Sequence, residues 1–248
     1  MNYKDLYING CSFTKGHALK PKDTWPTKLS NLLSLRLINH SKNAQGLESI
    51  VYNSIAHLSE LDPKETLVVI GFTWLDRYLV QAFGYNFTLT GGDLANERTQ
   101  WGHRLGDRAS SPFSIYEHYT EKNENYFSDD IRERLNNILT KYREYLKELM
   151  TGDPEYLKHV QLKGVTLKIM LQSFLKDNNF NYRFIDFAAD SGLYSRIIKT
   201  NPSIKNKLDY SKIIDIDYKK FCGTHQDGHP TAECCTYIAD KLNNEFKL

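Results

Sequence analysis

The chain has 248 residues, 40% hydrophobic and 25% charged, the balance of a soluble globular protein with one well-filled core or two small ones. Its 32 basic and 30 acidic residues leave a formal charge of +2, without the basic excess or stripe that a nucleic-acid surface requires. No apolar run approaches the roughly 18 residues needed to cross a bilayer, and the N-terminal segment lacks the apolar core and cleavage site of a signal peptide. A cytoplasmic location is therefore expected, with Cys11, Cys222, Cys234 and Cys235 as reduced thiols rather than a disulfide framework.

In chain order, residues 4–9 read as a short apolar strand ended by Gly10. Residues 25–35 place Trp25, Leu29, Leu32 and Leu33 at helical spacing. A second strand is expected over 35–39. A second helix over 47–58 carries the stripe Ile50, Val51, Ile55 and Leu58. The β-branched run 66–70, closed by Gly71, suits a strand buried on both faces, as in a parallel sheet. Residues 84–127 hold Gly91-Gly92 and scattered aromatics, among them Trp101, without a steady period. They read as an irregular insertion, of the kind that serves as a lid or binding loop. Helices are expected over 128–150 and 153–176; Asp153 and Pro154 stand at the cap and first position of the second. A fourth strand over 182–187 follows. The closing helix begins after Pro230, with Thr231 as its cap. Strands alternating with helices predict a parallel sheet covered on both sides, with its site at the carboxyl ends of the strands.

Four segments fall at such ends or just before the last helix. Gly10-Cys11-Ser12-Phe13-Thr14 follows the first strand, so the Ser12 hydroxyl sits on a tight strand-to-helix turn among backbone N–H groups. Asn43-Ala44-Gln45-Gly46 follows the second strand, and Gly71-Phe72-Thr73-Trp74 the third. Gln226-Asp227-Gly228-His229-Pro230 precedes the last helix.

In this order and placement the sequence resembles the SGNH (GDSL-like) hydrolases. Ser12 matches that family's nucleophile, Gly46 its oxyanion glycine and His229 its base. Trp25-Pro26 resembles the pair that often opens the family's first helix. The resemblance implies a single domain over 1–248, with a three-layer α/β/α fold, a central parallel flavodoxin-like sheet and an irregular or helical insertion around 80–150. It implies acyl transfer from a small-molecule or carbohydrate ester, with no cofactor and no metal. Ser12, His229 and Asp227 would be catalytic. The N–H groups of Ser12 and Gly46 and the Thr73 hydroxyl would hold the oxyanion. Trp74, Trp101 and Arg77, the last one helical turn past Thr73, would line the substrate. No nucleic acid or membrane partner is expected.

The sequence also departs from the pattern. Cys11 stands where the family has Asp, Thr73 where it has Asn, and Gln226 at the usual acid position, with Asp227 two residues before His229. A Ser–His dyad, a decayed binding or assembly protein and an O-acyltransferase are the alternatives. Cys222, His225, His229 and Cys234 have types and spacing that would suit zinc. Cys11 could replace Ser12 as nucleophile, or pack beneath the turn. Taken singly, Ser12 could be a helix cap, Gly46 a positive-φ glycine, and Thr73 and Trp74 helix-start and core residues.

Overall fold

The computed structural model describes residues 3–43, 45–73, 77–82, 85–90, 116–117, 134, 137, 141, 145, 154–187, 202–205, 207–214, 216 and 229–246. A five-stranded parallel sheet forms its centre, built from β1 (Asp5–Asn9), β2 (Arg36–Asn39), β3 (Thr66–Phe72), β7 (Asn181–Asp186) and β8 (Ile213–Ile214), in the order β2-β1-β3-β7-β8. Counting these strands alone, the order is the flavodoxin-like 2-1-3-4-5. Parallel neighbours need long crossovers. They run through α1 (Ser12–Lys15) and α2 (Trp25–Leu33), then α3 (Leu47–Leu58), then α4 (Pro154–Asp177), then the short α5 (Pro202–Lys205); α6 (Ala232–Phe246) follows the last strand.

The alternation of side chains along each strand divides the core in two. Leu6, Ile8, Leu67, Val69 and Ile185 pack against Trp25 and Leu29 of α2 and Cys235, Ile238, Ala239 and Leu242 of α6. Tyr7, Val68, Ile70, Phe72 and Phe184 face Ile50, Val51 and Leu58 of α3 and Leu167, Leu171 and Leu175 of α4. Helices thus cover both faces, in a three-layer α/β/α arrangement. β3 is buried along its whole length, as its uninterrupted apolar run requires.

Several boundaries and burials differ from expectation. β1, β2 and β7 sit within one residue of the expected strands. α2 stops at Leu33, because Ser34 takes the left-handed conformation (φ 56°), and Leu32 is left 49% exposed. On α4 the buried stripe is Val165, Lys168, Leu171 and Leu175, whereas Ile169 and Phe174 are only partly covered. β3 does not close at Gly71 but runs on to Phe72. A Cβ at Gly71 would lie 2.2 Å from Thr14 Oγ1 and 3.1 Å from the Phe187 ring, so glycine here admits close packing between strand and helix. β8 was not expected from the sequence.

The insertion begins as regular structure. β4 (Arg77–Ala82) and β5 (Tyr85–Thr90) pair antiparallel, and β6 (Tyr116–Glu117) joins β5, forming a separate three-stranded sheet. Arg134, Asn137, Lys141 and Tyr145 are helical and exposed, in keeping with the helix expected there. Among the described residues, no helix is long and apolar enough to cross a membrane.

Candidate active site

Ser12 is the first residue of α1, immediately beyond the carboxyl end of β1. Cys11, in extended backbone (φ −92°, ψ −161°), occupies the cap position and makes no side-chain cap bond. The Ser12 side chain is thus not committed to capping, although Ser12 is almost wholly buried. The N–H groups of Thr14 and Lys15 both donate to the Cys11 carbonyl, closing the turn that presents Ser12. Cys11 itself is fully buried in the core between the sheet, α2 and α6, in no disulfide, which accords with packing beneath the turn.

His229 arrives from the other end of the chain. It is followed by Pro230 and then by α6, whose first turn is capped by Thr231: the Cys234 N–H donates to Thr231 Oγ1 at 3.3 Å. The imidazole Nε2 of His229 lies 2.8 Å from Ser12 Oγ, a hydrogen bond across 217 residues of sequence. The imidazole also lies beside two other rings. Its centroid is 4.7 Å from that of Phe13 and 4.7 Å from that of His17.

The other expected groups cluster at the same end of the sheet. Lys42 N–H donates to the Gly10 carbonyl at 3.1 Å, joining the exit of β2 to that of β1 and fixing the loop that leads to Gly46. Gly46 caps α3 with φ −80° and ψ 161°; this is extended backbone, so a positive φ does not explain the glycine. Asn9, at the end of β1, braces that helix. Its amide donates to the Ile50 carbonyl (3.1 Å) and to Ser54 Oγ (2.9 Å), while its own carbonyl accepts from the Gly10 N–H (2.8 Å). Thr73 follows β3 and is fully buried, and its hydroxyl has no hydrogen-bond partner among the described residues. A buried hydroxyl left in that state can serve an incoming oxygen.

Arg77 does not lie one helical turn past Thr73. It opens β4, opposite Thr90, and so lies on a strand rather than a helix. Trp74, Trp101, Asp227, Gln226 and Ala44 lie outside the described residues, as do Cys222 and His225. Of the four residues spaced as for zinc, His229 is turned to Ser12 and Cys234 is buried on the core side of α6.

The chain is similar to several solved structures. One is the psychrotrophic esterase EstA from Pseudoalteromonas sp., with 12% identity over 98% of this chain and 97% of that one, and a TM-score of 0.49. Another is a member of the lipolytic protein G-D-S-L family from Veillonella parvula DSM 2008, with 13% identity over 99% and 100% of the two chains and a TM-score of 0.46. A third is a family two carbohydrate esterase from Clostridium thermocellum, solved with cellohexaose, with 12% identity over 98% of this chain and 63% of that one, and a TM-score of 0.46. No family profile and no curated protein matches the sequence.

Two features near the site escape sequence reasoning. The first is His17, whose ring reaches His229 only because of the backbone turn around it. The second is a buried ion pair. Lys168 Nζ lies 2.7 Å from Asp186 Oδ2, with both side chains almost wholly buried, and 4.6 Å from the centroid of the Phe72 ring. Burial pulls the Lys168 ammonium below its ordinary pKa, and Asp186 opposes that shift. A signal for this pair exists in the sequence: Lys168 stands three residues after Val165 and three before Leu171, inside the apolar stripe of α4, where a lysine demands a partner.

Proposed function

We propose that this protein is a serine esterase or deacylase of the SGNH type, acting on a small-molecule or carbohydrate ester. The observation that carries this reading is the 2.8 Å contact between Ser12 Oγ and His229 Nε2, within the reach a nucleophile and its base require. The order of the motifs and their place at the strand ends support it further.

In the proposed reaction His229 Nε2 removes the Ser12 proton as Oγ bonds to the ester carbonyl carbon. The carbonyl oxygen becomes an oxyanion, held by the N–H groups of Ser12 and Gly46 and by the Thr73 hydroxyl. Each such donor contributes roughly 3–4 kcal/mol to lowering the barrier. The tetrahedral intermediate collapses, and the imidazolium returns its proton to the departing alcohol. Water, deprotonated by the same imidazole, then attacks the acyl-serine and releases the acid. Asp227 would orient the imidazole and stabilise its charged form; without it the pair would still act, more slowly. Trp74, Trp101 and Arg77 remain candidates to line the substrate.

The departures at Cys11, Thr73 and Gln226 favour a second reading, a binding protein with a decayed site. A Ser–His separation within hydrogen-bond reach gives that reading no support. A panel of short-chain esters tests the two. Ser12→Ala and His229→Ala should each lower kcat roughly 10⁴-fold or more while the circular dichroism spectrum and Tm hold. Turnover that persists in Ser12→Ala would defeat the esterase reading. Adding acceptor alcohols and analysing the products separates hydrolysis from transfer.

A further inference from the structure

The second imidazole at this site is held in place by an unusual stretch of backbone. α1 ends at Gly16, which is left-handed (φ 81°), and a Cβ there would lie 2.4 Å from Thr24 Cγ2. Gly16 therefore cannot carry a side chain without moving α2's entry. Ala18, two residues on, is also left-handed (φ 63°), a conformation that alanine adopts only against steric cost. His17 lies between them. Its N–H donates to the Ser12 carbonyl (3.1 Å), as does that of Gly16 (2.9 Å). The turn thus folds back onto the residue that carries the hydroxyl, and it delivers the His17 ring to 4.7 Å from His229, inclined by 42°. Phe13, whose carbonyl accepts from the Trp25 indole at 3.2 Å, brings its ring to the same distance, inclined by 36°.

We propose that His17 is a positioning residue for the His229 imidazole, acting through its ring contact together with Phe13. The hydrogen bond to Ser12 Oγ fixes one atom of His229, and rings packed beside the imidazole resist its rotation about that contact. A base must be held within roughly 10–20° of its productive direction. Two neighbouring rings supply that restraint, and the left-handed pair of residues around His17 is what the backbone spends on placing one of them. The role in turnover rests on the esterase reading; the restraint on the ring does not.

Two measurements on full-length protein test this, one of them independent of activity. The first is the rate at which a fluorophosphonate labels Ser12. The second is the His229 imidazole signal in long-range ¹H–¹⁵N spectra, assigned with His229→Gln. His17→Ala should slow labelling by about ten- to a hundred-fold, lower kcat with KM little changed, and move and broaden the His229 signal. His17→Phe, which keeps a ring, should restore all three. If alanine lowers Tm, His17→Leu keeps the volume without the flat ring and should behave as alanine does. Wild-type labelling and an unmoved His229 signal in His17→Ala and His17→Leu would overturn the proposal. An unlabelled wild-type protein whose His229 signal still responds to His17→Ala would defeat the esterase reading and leave the positioning role standing.

Discussion

At the scale of single residues, the Ser12–His229 contact joins two groups that gain meaning only together. A serine after a strand is ordinarily a cap and a histidine before a helix is ordinarily a surface group; here Cys11 takes the cap position and the histidine is turned inward. Lys168 and Asp186 form the other close pair near the strand ends, and its energetics differ. An ammonium and a carboxylate taken out of water depend on their close partner, so removing one withdraws the nearest opposite charge from the other. Lys168→Met should cost about 3–5 kcal/mol in urea unfolding, and adding Asp186→Leu should recover much of that loss. A cost under about 1 kcal/mol for the single change would show that the pair carries no such burden.

At the scale of elements, the site depends on how closely α1 sits on the ends of β1 and β3. Thr14 fills the space that a Cβ on Gly71 would claim. Gly71→Ala should therefore overpack this junction and cost about 1–3 kcal/mol. It should lower ester turnover by more than the loss of stability explains, because the displaced helix carries Ser12. Thr14→Ala in the same chain should restore part of both. A Gly71→Ala protein with wild-type Tm and turnover would show that the helix yields without consequence.

The elements also show what can be read from sequence. β1 and β3 announce themselves as apolar runs, and α3 by its period, since burial and repeat coincide there. The β4–β5 pair has a sequence signal: Tyr85, Phe87 and Leu89 alternate with Asn86, Thr88 and Thr90, the period of a strand. Gly91-Gly92 and the aromatics beyond it keep no steady period and obscure that alternation. Arg77 belongs to the same antiparallel pair, and so to a strand rather than a helix. β8 has only two residues, too few for any period, and joins the sheet by pairing with β7. The place of Ser12, Gly46, Thr73 and His229 near the strand ends was legible from parallel topology. The His17 ring was not, because it depends on an alanine in a left-handed conformation, which no local preference predicts.

Over the whole molecule, stability should depend on pH through a second pair of rings. His40, just after β2, stacks on His57 of α3 with centroids 3.8 Å apart and on Tyr7 of β1 at 5.5 Å. Burial, then the His57 ring and Lys42, hold His40 below its ordinary value of 6.5. Tyr7, pushed up to about 12 by burial, stays neutral throughout this range. Because the unfolded chain takes up the His40 proton first as pH falls, the stabilisation is complete above about pH 6.5 and is lost as pH drops through the folded-state value. Tm should decline as pH falls below about 6.5, and His40→Phe, which keeps the stacking, should flatten that decline. An unchanged slope in the variant would assign the acid sensitivity elsewhere.

The most direct test of the central claim is the intact mass of the protein after exposure to a fluorophosphonate, with the modified peptide mapped. A single phosphonyl adduct on Ser12, absent from Ser12→Ala and nearly absent from His229→Ala, is the predicted result. An adduct on Cys11 or elsewhere, or none on a folded wild-type protein, would contradict Ser12 as a nucleophile activated by His229.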